Sequence, residues 1–441
     1  MFYEVAILGL LTISILFIFL YLLKDTIFGI NFSRKNYNGI LLSRAFLVVI
    51  LFGVWSVYFL GVDSIPVFFV KPESIFYSSF IILSTFNFFL ISLVFFSKLF
   101  FHKYFLVEDS QLDLRNGKFV LIIFSVALLF CVLLMHALGA KHAVIASALT
   151  GNDLLNVRME NRYASNVPTM LASYLKFLYI LVAALLAINF KNTKISLYNK
   201  IAIFLLICYS STLYGGKAPL INCFLIFLFG YLYSTNQHIN FWKLFKYSTP
   251  IVLIGSYILY YLTKIQFTDL EPGQVIEYLL LRISTGQMMG VYEQLDLRIH
   301  DFEYIWRSVP FANIFLEYKE YSKDLMMYTW GSYKDAEEVG VMNSYFIGEA
   351  YAIGGMLFML ISPIVFGLNY CISIFVLIFI LHRIFGLEKN CSVKVIGLSM
   401  AFLFPLTGDI AGMIFFKQII MYIVFLIPLI FVVEVFRSNK G

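Results

Sequence analysis

The sequence predicts an all-α, polytopic membrane protein, on three observations. Of 441 residues, 61% are hydrophobic and only 13% are charged, where a soluble domain carries about 25%. The mean hydropathy is +0.86. Apolar runs of about 20 residues, the length that crosses a bilayer, recur along the whole chain. The 48 Phe and 29 Tyr suit lipid-facing surface and interfacial belts.

Eleven membrane helices are expected within a single integral membrane domain, 1–441. They fall near 3–23, 43–62, 75–96, 118–139, 169–190, 200–214, 218–234, 247–265, 346–382, 393–411 and 416–436. The first run has no basic leader and spans a full bilayer width, so it reads as a retained helix rather than a cleaved signal. The segment 346–382 reads as one long, bent pass entered through a half-buried stretch. Two passes around Ser362-Pro363 and Gly367 would invert everything after it.

Alternate connections are short and basic, from Lys24, Arg34, Lys35 and Arg44 to Arg383, Lys389 and Lys394, with Arg437 and Lys440 in the tail. They hold 18 of the 32 Lys and Arg. By the positive-inside rule that side is cytoplasmic, which puts the N-terminus outside and the C-terminus inside. Two large loops then face outward: loop A at about 140–168 and loop B at about 266–345. Loop B is too long for a plain connector. It carries half of the 26 acidic residues, Trp306 and Trp330, and helical apolar spacing at Val275-Ile276, Leu279-Leu280, Ile283 and Met288. A folded, partly helical cap is expected there.

Several chemistries find no support. The five cysteines avoid the outer loops, so disulfides are not expected. No CxxC, HExxH, P-loop or dinucleotide fingerprint occurs, so neither a metal nor a nucleotide cofactor is expected. The basic residues are dispersed over loops and form no nucleic-acid stripe.

The candidates for chemistry lie outside. Arg158 and Arg162 in loop A are four apart, on one face of a helix, where two guanidinium forks suit a phosphate or diphosphate. They equally suit pairing with Asp153 and Glu160. Lys217 stands in LYGGKAPL between two apolar runs. Gly215 and Gly216 permit a tight turn, and Pro219 suits a helix start. The lysine beside free backbone N–H groups favours an anion, or it is a snorkelling turn residue. Arg282 sits alone among apolar residues in EYLLLRISTGQ and faces either water or an anion at the membrane surface. Lys176, in the outer half of the fifth span, is a further anion contact or a snorkelling lysine. Arg298 and Arg307 lie among acids and read as structural ion pairs, and His142 and His300 form no triad. Glu349 in NSYFIGEAYAIGG and Asp409 in PLTGDIAG are each a general base, a sugar-hydroxyl acceptor or an ordinary end-cap.

Three patches carry a resemblance: Gly215-Gly216-Lys217, the pair Arg282-Ile283 early in loop B, and NSYFIGEAYAIGGMLF from Asn343 to Phe358. In that order and topology they resemble the bacterial oligosaccharide repeat-unit polymerases of O-antigen and capsule synthesis, the Wzy family. The resemblance covers most of the chain in architecture and only these patches in sequence. It implies a GT-C-like glycosyltransferase of the bacterial inner membrane, working without metal or nucleotide sugar. Donor and acceptor would both be glycans on undecaprenyl diphosphate at the periplasmic face, and a Wzz-like chain-length regulator would be a possible partner. Arg282, Arg158, Lys217 and Arg162 are then the expected diphosphate contacts, and Glu349 and Asp409 the expected catalytic carboxylates.

An O-antigen ligase is the nearest alternative. Such ligases resemble this chain in turn motif and outer loop, but carry a histidine motif near the loop's end, where Gly340 to Glu349 has none. A lipid-linked oligosaccharide flippase or other transporter would show repeated architecture and deep charges. The lysine admits a direct check by glycan ladder at matched protein level. Lys217→Ala should shorten the ladder and Lys217→Arg should retain it. A full ladder from the alanine variant would make LYGGKAPL merely a turn.

Overall fold

The computed structural model describes Phe2 to Ser438 apart from residues 34–35, 61–69, 102–115, 151–156, 158–165, 235–240, 267–270, 284, 318, 331–341, 343 and 408–409. Arg158, Arg162, Asp409 and the Lys217 side chain lie outside what is described. Every regular element among the described residues is helical.

The long helices are α1 (Phe2–Leu22), α2 (Ile40–Leu60), α3 (Pro72–Phe101), α4 (Gly117–Ala137), α6 (Thr169–Ile188), α13 (Ile347–Ile384) and α15 (Lys417–Ser438). Among the described residues these seven are long and apolar enough to cross a membrane. A multi-pass membrane protein follows. The other four expected spans fall on α7 (Leu197–Thr212), α8 (Lys217–Ser234), α9 (Phe241–Gln266) and α14 (Lys389–Leu403). The 15 residues of α14 rise ~22 Å, less than the ~30 Å of a hydrocarbon core. Helix α5 (Ala143–Thr150) lies in loop A. Loop B supplies α10 (Pro272–Ile283), α11 (Thr285–Leu297) and α12 (Tyr321–Trp330).

Helix α6 is the axis. Of its apolar window 72% is buried, against 22% for α1. It packs between α4, α8 and α14, with α7 alongside. Gly230 on α8 allows this closeness: a Cβ there would stand 2.5 Å from the Ala187 Cβ. Helices α3 and α13 run side by side in the same direction. Phe89 packs on Phe366 at 5.6 Å and Phe101 on Phe375 at 6.1 Å.

Helix α13 passes unbroken through Ser362-Pro363. The proline has no N–H for the Met359 carbonyl, and the Ser362 hydroxyl donates to that oxygen instead, at 2.8 Å. The break comes earlier, at Gly354 (φ −138°, ψ 21°) and Gly355 (φ 63°, ψ −157°). Left-handed backbone at Gly355 costs a glycine little. The buried segment before the break thus leads at an angle into the long pass.

Loop B does more than cover the bundle. Helix α11 is buried from Thr285 to Gln294 apart from Gln287 and packs against α2, α3 and α13. The Tyr292 and Ser79 hydroxyls hydrogen-bond at 2.7 Å. Helix α10 leaves Ile276 and Leu280 exposed. These elements form the cap end of the bundle.

The α6–α8 contact predicts a size effect. Gly230→Ala should lower the thermal midpoint by the equivalent of about 1–3 kcal/mol of overpacking, and adding Ala187→Gly should recover most of it. Equal midpoints for wild type and Gly230→Ala would contradict the close approach.

Candidate functional site: a carboxylate between two cations at the cap end

Loop B reaches the bundle through residues 298–308. Arg298 ends α11 in the left-handed region, φ 55°, its N–H donating to Gln294. The chain then runs along the α13 break. The Asp301 N–H donates to the Ala352 carbonyl at 2.9 Å, filling an acceptor near the break. The His300 ring lies 4.7 Å from that of Tyr351, and a Cβ on Gly355 would be 3.7 Å from His300 Cε1. Asp301 also caps the 3-10 turn Phe302–Ser308 by accepting from the Glu303 N–H at 2.9 Å. Lys319 pairs with Asp301 at 2.6 Å and with Glu303 at 2.8 Å. Its ammonium holds the Asp301 carboxyl below the usual range.

This scaffold sets Arg307 over Glu349. The Glu349 side chain is 1% exposed. Its Oε2 accepts the Ala411 N–H at 2.8 Å. Its Oε1 lies 3.9 Å from Arg307 Nη1, whose Nη2 meets Glu320 at 3.3 Å. Lys417, the first residue of α15, donates to the Arg307 carbonyl. The backbone enters Lys417 through Phe415 (φ 50°) and Phe416 (φ 55°), both left-handed. Such strain in non-glycine residues persists only where the surroundings enforce it.

The arrangement orders charge. One buried carboxylate ties a cap arginine, the 410–412 turn and the entry segment of α13, while Lys417 hangs on the same arginine. Arg307 keeps 21% of its side chain exposed, so an anion can still meet the guanidinium.

Of the expected site residues, Glu349 alone is described within this cluster. Arg282 lies in the last turn of α10, exposed, with no carboxylate paired to it among the described residues. Helix α8 begins at Lys217, after Gly215 at φ 68° and with Pro219 in its first turn. The LYGGKAPL turn is fastened to loop A. The Ala143 N–H donates to the Leu213 carbonyl at 2.8 Å, and His142 Nε2 lies 3.2 Å from both the Tyr209 carbonyl and the Thr212 hydroxyl. Burial pushes the His142 imidazole down. The ion pairing expected of Arg307 is present, with Glu320 and Glu349, but the sequence does not single out Glu349 as its partner or Lys417 as its neighbour. No spacing signals their meeting, since 42 and 68 residues separate them from Glu349. No protein-family model, curated protein or solved structure matches the chain.

Removing one partner of a buried pair costs about 3–5 kcal/mol, because the remaining charge is left uncompensated. Glu349→Ala should therefore lower thermal stability strongly. Glu349→Gln, which still accepts from Ala411, should lower it less. Equal midpoints for wild type and Glu349→Ala would rule out the tie.

Proposed function

We propose that the protein is a glycosyltransferase that polymerises oligosaccharide repeat units carried on undecaprenyl diphosphate at the periplasmic face of the bacterial inner membrane. The observation that carries the reading is the cap-end cluster, in which Glu349 fixes Arg307 beside Lys417 at the mouth of an apolar bundle. Cations held in place suit a leaving diphosphate, whose charge grows as the bond to sugar breaks.

In the reaction, an acceptor hydroxyl oxygen bonds to the anomeric carbon of the donor glycan. The bond from that carbon to the diphosphate oxygen breaks, and its electron pair leaves with undecaprenyl diphosphate. The hydroxyl proton passes to a carboxylate. Arg307 neutralises the leaving group, with Arg282, Arg158, Lys217 and Arg162 as further contacts to the donor and acceptor diphosphates. Glu349, closed in by Ala411 and Arg307, acts as a positioning residue through Arg307. Asp409 is assigned as proton acceptor. The exposed apolar flank of α10, next to Arg282, suits a polyprenyl chain at the bilayer surface.

The test is reconstitution of the full chain in lipid nanodiscs with undecaprenyl-diphosphate repeat units. Wild type should yield a ladder. Arg307→Ala, at matched folding, should slow chain growth by about 10²–10³-fold, as when a transition-state donor is lost. No ladder from wild type, or an unchanged rate from the variant, would overturn the reading.

A further inference from the structure

Two cations inside candidate membrane spans have no acid beside them among the described residues. Arg44 lies on α2 where the helix turns π-helical, Arg44–Leu51; such segments recur at functional sites. It had been expected among the loop charges. Lys176 lies on α6, the most buried span. Arg44 Nη1 donates to Asn222 Oδ1 on α8 at 2.9 Å. Among the described residues no carboxylate pairs with Arg44, and Lys176 has no hydrogen-bond or ion-pair partner. Both are set deep among the atoms of the bundle, yet both side chains are exposed. An exposed side chain in such a setting stands in a cleft.

Packing places both against α8. Helices α6 and α8 run in the same direction, because Gly230 sits under Ala187 while Leu220 and Cys223 line one cavity with Ala183. Lys176 is seven residues before Ala183, and the start of α8 is six before Cys223. The lysine is therefore level with that start, ~10 Å above Ala183. Asn222, holding Arg44, lies five residues further down, ~8 Å. Thr169 and Ser173 are also exposed, at helical spacing above Lys176, while Tyr179 and Ile180 below it are buried. Beside Arg44 on α2, Val48 and Phe52 are exposed. Polar residues and a cation on α6, and a cation with an apolar flank on α2, thus border α8.

An unpaired ammonium or guanidinium at membrane depth is costly and marks a ligand path by default. We propose that this cleft on α8 binds the diphosphate headgroup of a polyprenyl lipid through Arg44 and Lys176, with Asn222 orienting the guanidinium. The inference rests on the glycosyltransferase reading and adds to it a second anion site, separate from Arg307 and Lys417.

The experiment is equilibrium binding of undecaprenyl diphosphate to the full chain in nanodiscs. Undecaprenol, phosphatidylglycerol and inorganic pyrophosphate serve as competitors. Wild type should prefer undecaprenyl diphosphate to each. Lys176→Met and Arg44→Gln should each weaken it by about tenfold or more, the loss of one charge-assisted contact, and Lys176→Arg should restore most of it. Thermal midpoints and elution confirm that each variant is folded. Unchanged binding in the folded neutral variants would overturn the site. Equal competition by phosphatidylglycerol or by pyrophosphate would overturn the assignment to a polyprenyl diphosphate. Polymer formed by wild type with cation-independent binding would sink this site alone. Cation-dependent binding without polymer would sink the polymerase reading and leave the site standing.

Discussion

The cap end depends on one buried carboxylate. Glu349 is 1% exposed and meets the Ala411 N–H at 2.8 Å and Arg307 at 3.9 Å. A charge taken out of water to this degree persists only when it is paired and hydrogen-bonded. Three segments distant in sequence must therefore arrive together: loop B at 298–308, the entry segment of α13, and the turn before α15. The glycine break at 354–355 lets α13 bring Glu349 inward before it turns down the bundle. Residues 300–301 then dock on that break. Cap and bundle become one unit through a site that also presents cations.

The fold class was legible because composition and run length leave few alternatives. With 13% charged residues and repeated apolar runs, the chain can only bury itself as helices in lipid. The turn at LYGGKAPL was legible for local reasons: Gly215 takes φ 68° and Pro219 enters the first turn of α8. What escaped is nonlocal or hidden by helical pattern. Ser362-Pro363 left two passes as an alternative to the single long one, and the structure keeps the single pass, with a hydroxyl replacing the missing hydrogen bond. The bend expected in 346–382 falls at Gly354-Gly355, inside an unbroken apolar run that does not mark its position. Arg307 reads as an ion-paired arginine, as it is, but its partner Glu349, 42 residues away, is not legible. Arg44 looked like a loop charge because a basic stretch precedes it, while the helix begins at Ile40.

The charges divide into two kinds of environment. At the cap end they form a dense net, with Asp301, Glu303 and Lys319 in one knot and Arg307, Glu320 and Glu349 in another. Exposed pairs of the first kind add little stability individually, but together they hold the 3-10 turn that carries Arg307. Elsewhere in the bundle, Arg44 and Lys176 pair with no acid among the described residues. The first arrangement fixes cations in position, and the second leaves cations for a ligand to neutralise. A diphosphate lipid that enters from the bilayer and reacts beneath a cap would need both.

We propose that a lipid diphosphate is handled at the cap end. The most direct measurement of this is photo-crosslinking of the full chain in membranes, using an undecaprenyl-diphosphate glycan that carries a photoreactive group on its first sugar. Labelled peptides should map to residues 301–320, 345–356 and 410–417, and excess unlabelled lipid should suppress them. Labelling confined to the opposite end, in peptides around 190–200 and 384–394, would contradict it.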